Sequence, residues 1–229
     1  MKLLDNPIWS SLSTEHQGLA LGDERARRYP AEIGPLSGIP EQSVENYTAL
    51  RKLLEPGGVV ALFSQDRFKI PPALMCVRDG ELVQMVRQVR GKLDSVKLEP
   101  MMELRKLTAG NAPAMVNLAE LTEPGPFRLR TMELGNFYGI FHGQRLVSMA
   151  GKRMHLPGMV EVSGVCTHPE ARGRGYARML MSIVVEEIER EGKTAFLHAY
   201  TTNPAIRLYE ALGFAIREKF YFAALVNTG

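Results

Sequence analysis

The chain has 229 residues, 45% hydrophobic and 23% charged, the balance of a folded globular protein with room for one large domain or two small ones. Its 28 Lys+Arg against 25 Asp+Glu leave a formal net charge of +3, too small and too scattered an excess for a nucleic-acid surface. Two cysteines, Cys76 and Cys166, exclude a disulfide framework and read as buried free thiols of a reducing compartment. No apolar run approaches bilayer length, and Asp5, Asn6 and Pro7 interrupt the place of a signal h-region, so a cytoplasmic protein without membrane or nucleic-acid partners is expected.

Taken in chain order, Trp9–Ala20 is amphipathic and reads as core, with a homodimer interface as its other use. Pro30, Pro35, Pro40, Pro56, Pro71 and Pro72 break the first hundred residues into short pieces. Ser43 caps a helix reaching Leu54, Gly57-Gly58 ends it, and Val59–Phe63 reads as a buried strand. Asp79-Gly80 reads as a hairpin turn between Leu74–Val77 and Leu82–Val86, although Gln84–Val89 also suits a helix start. Residues 91–100 are polar and end in proline, which divides the chain into an α+β unit at 1–95 and a second unit at 100–229. In that second unit the sequence predicts strands at Met102–Leu107, Gly135–Phe141, Arg145–Arg153, Val160–Thr167, Thr194–Tyr200 and Phe214–Val226. Helices are predicted from Thr108 to about Leu121, over Gly175–Arg190 and over Pro204–Leu212, the last stopped by Gly213.

The chemistry concentrates in Val165–Ala177. A strand ends at Thr167, Pro169 forbids its continuation, and Gly173 and Gly175 precede a long amphipathic helix. Such a turn aims free backbone N–H groups and the positive end of the helix dipole at one point, which suits a phosphate. Arg172 and Arg174 add charge there, and a side chain at Gly175 would push the ligand away. No Gly-Lys-Ser/Thr follows, and Arg178 stands where a dinucleotide fingerprint needs its third glycine.

Arg172-Gly173-Arg174-Gly175-Tyr176-Ala177 resembles the Gln/Arg-x-x-Gly-x-Gly/Ala signature of the GCN5-related N-acetyltransferase (GNAT) superfamily. Asn203-Pro204-Ala205-Ile206-Arg207-Leu208-Tyr209-Glu210-Ala211-Leu212-Gly213-Phe214 resembles its second motif, at the right spacing. The resemblance covers residues 102–226. It implies an α/β fold of the mixed-sheet (α+β) kind, whose strands Val160–Thr167 and Thr194–Tyr200 splay apart, and acetyl-CoA as acyl donor. It further implies that the main chain of Val165, Cys166 and Thr167 pairs with the pantetheine arm. The pyrophosphate then sits on Arg172–Ala177, and Asn203 contacts the arm from the other side. Some superfamily members similar to glycine N-acyltransferase carry a degenerate copy of the fold first, and residues 43–90 fit a partial copy without a Gly-x-Gly turn.

By the same resemblance the Tyr209 hydroxyl is the general acid at the thioester sulfur. Glu161, eleven residues before Arg172, is the general base expected for the amine, and His198 on the facing strand is the reserve base. His168 reads as a loop residue near the cofactor. A backbone N–H of the strand at 160–167 is the expected oxyanion donor. Glu123, Phe127, Glu133 and Tyr138 are the candidates for the acceptor pocket and hint at a cationic or aromatic-contacted amine. No metal site is expected. The reading is an N-acetyltransferase acting on a primary amine of a small molecule or amino acid through a ternary complex, without an acyl-enzyme at Cys166. A protein lysine or N-terminal acetyltransferase, and a non-catalytic acyl-CoA-binding module, are the alternatives. An enclosing N-terminal unit favours the small acceptor.

Overall fold

The computed structural model of the protein describes residues 2–89 and 98–229. Helix α1 (Pro7–Ser13) leads into three short strands, β1 (Leu21–Gly22), β2 (Arg27–Arg28) and β3 (Ser37–Gly38), which form a small antiparallel sheet. Helix α2 (Val44–Lys52) follows, capped by Ser43, whose side chain accepts from Asn46 N. Strands β4 (Val59–Ser64) and β5 (Leu74–Arg87) close the first half. The second half runs β6 (Met102–Lys106), α3 (Ala112–Thr122), β7 (Phe137–His142), β8 (Arg145–Leu156) and β9 (Met159–Thr167). It ends with α4 (Tyr176–Arg190), β10 (Thr194–Tyr200), α5 (Ile206–Ala211) and β11 (Phe214–Asn227).

Eight strands make one sheet in the order β4-β11-β5-β10-β9-β8-β7-β6. Every neighbouring pair is antiparallel except β9 and β10, whose parallel pairing requires the crossover that α4 supplies. The boundary expected at 91–100 falls mostly on residues outside those described. Either side of it, though, the chain belongs to one sheet, because β5 from the first half is inserted between β10 and β11 of the second.

Two sequence expectations fail on β5. Asp79 and Gly80 are not a hairpin turn but interior residues of one long strand, paired to Ala223 and Phe222 of β11, and Gln84–Arg87 continues it rather than starting a helix. A two-residue hairpin turn needs left-handed backbone at its centre, and Gly80 is not among the positive-φ glycines. Cys76 is exposed, contrary to expectation, because residues 75–79 pair only with β11 and run past the end of β10. Cys166 is buried as expected.

The period-two alternation of the central strands sorts side chains to two faces. Val160, Val162, Ala195, Leu197 and Ala199 face α4, where Leu180, Met181, Val184, Val185 and Ile188 at helical spacing are wholly buried. Phe196, Leu82 and Val86 face the other way, onto Leu4, Ile8 and Leu12 of the N-terminal segment. Trp9 lies outside that core, with the Arg27 guanidinium 5.7 Å from its ring centroid. Thus the first half covers one face of the central strands, and α1 packs as core.

Beside α1, His16 stacks on His155 with ring centroids 5.0 Å apart, and its Nδ1 lies 2.8 Å from Tyr29 Oη. Burial, and then the His155 charge, push His16 down to about 4; burial and the neighbouring Lys193 and Lys152 also lower His155. Both imidazoles bind protons more weakly folded than unfolded, so stability is full above the unfolded value of 6.5 and declines as pH falls below it. From His16 alone the expected loss is about 2 kcal/mol between pH 7.5 and pH 5. Urea melts at those two pH values check this, and equal midpoints would contradict it.

Candidate active site

The turn before α4 has the geometry its sequence demands. Gly173 and Gly175 take left-handed backbone, with φ of 79° and 77°, a region that costs other residues about 1 kcal/mol or more. The backbone N–H groups of Gly173 to Ala177 find no acceptor among the described residues, so they remain open to a ligand at the helix N-terminus. Arg172 Nε donates to Thr167 O at 3.2 Å, tying the turn to the end of β9, and Arg174 pairs with Glu99 at 2.6 Å. Tyr176 packs its side chain into the core beside this turn. His168 accepts from Glu170 N and caps the preceding short helix, a structural role.

Strands β9 and β10 pair only from Met159–Glu161 to Thr194–Phe196 and then separate. A cavity of about 720 Å³ occupies the wedge, lined by Val162–Val165 on one side and by Leu197–Tyr200, Asn203 and Tyr209 on the other. Gly164 breaks the β9 ladder with φ of 62°, and the register to β8 shifts there, as in a β-bulge. A Cβ at Gly164 would stand 2.9 Å from the Phe137 ring, so the bulge needs glycine. Beyond Glu161 the wedge side of β9 has no partner from β10, so its main chain around Val165 to Thr167 is an open strand edge.

Tyr209 lines the cavity, its hydroxyl makes no hydrogen bond among the described residues, and burial pushes that hydroxyl up to about 12. It therefore keeps its proton at neutral pH and can give a hydrogen bond to a developing anion. Asn203 accepts from Ala205 N at 2.9 Å, turning the chain into α5, and also lines the cavity, which leaves its amide NH₂ for a ligand. Burial raises the Cys166 thiol to about 11, and its side chain packs with Met115 and Phe141 beneath α3. A thiol held protonated is a poor nucleophile.

Glu161 does not have the properties of a general base. Its side chain is 0% exposed and does not line the cavity. Arg153 Nε and Nη2 donate to its two oxygens at 2.6 and 2.8 Å, and His198 Nδ1 lies 2.8 Å from Oε1. Burial alone would raise this carboxyl, but the Arg153 charge and the hydrogen bonds from Arg153 and His198 hold it at about 2. A carboxylate so committed has little affinity for a substrate proton.

His198 is committed as well. With Nδ1 donating to Glu161, its Nε2 lone pair accepts from Gln84 Nε2 at 3.1 Å. Gln84 in turn donates to Leu4 O at 2.9 Å and accepts from Arg217 Nη1 at 2.9 Å, so every member of the chain is satisfied. Burial lowers the His198 imidazole despite Glu161, and the side chain is 2% exposed. His198 contributes a wall of the cavity but no free base.

Of the expected acceptor residues, Glu123 and Phe127 line the cavity, with Glu123 exposed at its rim. Tyr138 does not: it faces α4 on the opposite side of the sheet, beside Glu187. Glu133 is paired to Arg130 outside the cavity. Beside Glu120 and Glu123, the cavity walls also contain Arg28, Arg78, Arg128 and Arg153, which the sequence reading did not name. Arg153 left no signal in the spacing: counted back from the Pro157-Gly158 turn, Met154 falls opposite Glu161, and the register shift between Lys152 and His155 brings Arg153 there instead. Gly164, a glycine inside a strand pattern, was a bulge signal.

Residues 137–223 match the family model described as FR47-like protein. A GNAT-family protein from Novosphingobium aromaticivorans DSM 12444 is 34% identical, with a TM-score of 0.87 and 99% of each chain covered. A GCN5-related N-acetyltransferase from Kribbella flavida shares the fold at 15% identity, with a TM-score of 0.62 and 96% of each chain covered. So does a tandem GNAT protein from the clavulanic acid biosynthesis pathway, at 12% identity and a TM-score of 0.58, covering 89% of this chain and 78% of that one. No curated protein matches the chain. Whole-length identity to a GNAT-family protein, joined to the open Gly-rich turn and the splayed strands, places the chain in the GCN5-related N-acetyltransferase family.

Proposed function

We propose that the protein transfers an acetyl group from acetyl-CoA to the primary amine of a small molecule or amino acid, by direct attack in a ternary complex. The observation that carries this reading is the wedge itself, where an unpaired edge of β9 faces the proton-bearing Tyr209 across one cavity. Acetyl-CoA supplies the activated thioester. The open N–H groups of Gly173–Ala177 and the side chain of Arg172 suit its pyrophosphate, and the β9 edge from Val165 to Thr167 with Asn203 suits its pantetheine arm.

Tyr209 gives its hydrogen bond to the departing sulfur. An open N–H on β9 is the candidate oxyanion donor. With Glu161 and His198 both committed, the acceptor ammonium loses its proton to water at the cavity mouth, where Glu120 and Glu123 are exposed. The walls from the N-terminal half, including Arg28–Tyr29 and Val59–Ala61, enclose the acceptor side and favour a small molecule over a protein lysine.

Thiol release from acetyl-CoA in the presence of an amine panel tests the reading; release with peptide substrates alone would favour the protein acetyltransferase instead. Two variants refine the test. Gly175→Ala places a Cβ on left-handed backbone at the anion site and should weaken acetyl-CoA binding at least about tenfold by calorimetry. Cys166→Ala should keep turnover within about twofold of the parent, because the buried protonated thiol takes no part. Loss of activity with acetyl-CoA binding intact would point to an acyl-enzyme.

A further inference from the structure

The charge distribution within the cavity goes beyond what transfer to a simple amine requires. Arg28, Arg78, Arg128 and Arg153 all line it, against two carboxylates, Glu120 and Glu123; Arg78, Arg128 and both carboxylates are exposed at the rim, while Arg28 is half-buried and Arg153 buried. Only Arg153 has an acidic partner, Glu161; Arg28, Arg78 and Arg128 form no ion pair among the described residues. Arg78 lies over the Tyr200 ring, 5.9 Å from its centroid, and Arg128 Nη1 donates to Phe127 O at 3.4 Å.

Arg28 is the most informative of the four. It ends β2, is half-buried, and its Nη1 makes one long contact, 3.3 Å, to Tyr29 O. Its Nε is buried with no acceptor among the described residues. A buried N–H without an acceptor is costly, and a guanidinium is shaped to take a planar carboxylate through two parallel hydrogen bonds. The cavity it lines also has apolar wall residues, Leu36, Phe63, Leu82 and Phe222, and apolar walls strengthen a charge pair by keeping water from it.

We propose that the acceptor is an amino acid or a related amine bearing a carboxylate, and that Arg28, on the wall shared with Arg153, anchors that carboxylate. This rests on the acetyltransferase reading and adds the chemical class of the acceptor to it. Arg28 is half-buried and Arg153 buried, whereas Glu120 and Glu123 are exposed, an arrangement that would orient a zwitterion with its carboxylate inward.

The test uses matched pairs: glycine with glycinamide, leucine with leucinamide, phenylalanine with phenylalaninamide, plus O-phosphoethanolamine as an anionic amine without a carboxylate. Thiol release gives kcat and KM for each, and calorimetry gives acetyl-CoA affinity separately. The acids should exceed their amides in kcat/KM by at least about tenfold, the discrimination a site gains by hydrogen-bonding a group the competitor lacks. The amides have the less basic amino group, so intrinsic amine reactivity works against this result. Arg28→Leu should abolish the preference through KM while leaving acetyl-CoA affinity unchanged.

Amides equal to or better than acids, an intact preference in Arg28→Leu, or no acid turned over by protein that binds acetyl-CoA would each overturn the proposal. A preference for O-phosphoethanolamine over the acids would overturn the carboxylate assignment. Failure to bind acetyl-CoA would instead sink the acetyltransferase reading beneath it.

Discussion

Replacing Glu161 with alanine should destabilise the protein by roughly 3–5 kcal/mol, the usual result of removing one partner from a buried ion pair. The cost comes from Arg153, whose guanidinium is nearly enclosed and relies on Glu161 for two short hydrogen bonds. His198 loses the acceptor for its Nδ1 proton in the same variant. The double replacement Glu161→Leu with Arg153→Met should recover most of that loss, because it leaves no uncompensated charge. Urea denaturation of the single and double variants reads both effects. A single-variant loss below about 1 kcal/mol would mean that the pair is far better solvated than its burial implies.

The same ion pair makes a kinetic prediction. Were Glu161 the base, activity would depend on a carboxyl; held at about 2, it is ionised throughout the working range. The pH dependence of kcat/KM should therefore follow the acceptor's own amino group, rising until that group is neutral. A limb near 6–7 that stays fixed as the acceptor is changed would instead reveal an enzyme base.

Tyr209→Phe is expected to lower kcat about 10²–10³-fold while leaving acetyl-CoA affinity within about twofold, as loss of a general acid does. The hydroxyl is the only part removed, and it has no protein partner among the described residues, so folding should be little affected. Stopped assays of thiol release, with calorimetry on the same preparation, separate the two quantities. Normal turnover would remove Tyr209 from the proton's path.

Most of the second half was legible because its signals are local. Pro169, Gly173 and Gly175 stop one strand and open one helix within a few residues, and the observed β9 and α4 begin and end close to the predicted limits. Strand β5 shows where local reading stops. Asp79-Gly80 is a turn signal in isolation, but thirteen pairings with β11 and five with β10 hold the segment extended. Pairing partners more than a hundred residues away leave no mark in a local window, so the joining of the two halves into one sheet was not foreseeable from spacing.

The chemistry divides in the same way. Glu161 was singled out by its place eleven residues before Arg172, but a carboxylate on an apolar strand needs a partner or a task. The partner was Arg153, visible only once the β8–β9 register is known. Arg28 lies some 125 residues earlier in the chain than Arg153, in a segment with no recognisable motif, and reaches the same cavity only because the N-terminal half folds over that face of the sheet. Tyr138 was misplaced for the converse reason: alternation on β7 puts it on the α4 side.

Calorimetric titration with acetyl-CoA tests the central claim most directly, beside free CoA and a longer acyl-CoA. Micromolar binding of acetyl-CoA by the parent protein, weakened in Gly175→Ala, is the predicted result. A folded protein that binds none of the three would contradict the account, since the open turn at Gly173–Ala177 would then hold no pyrophosphate.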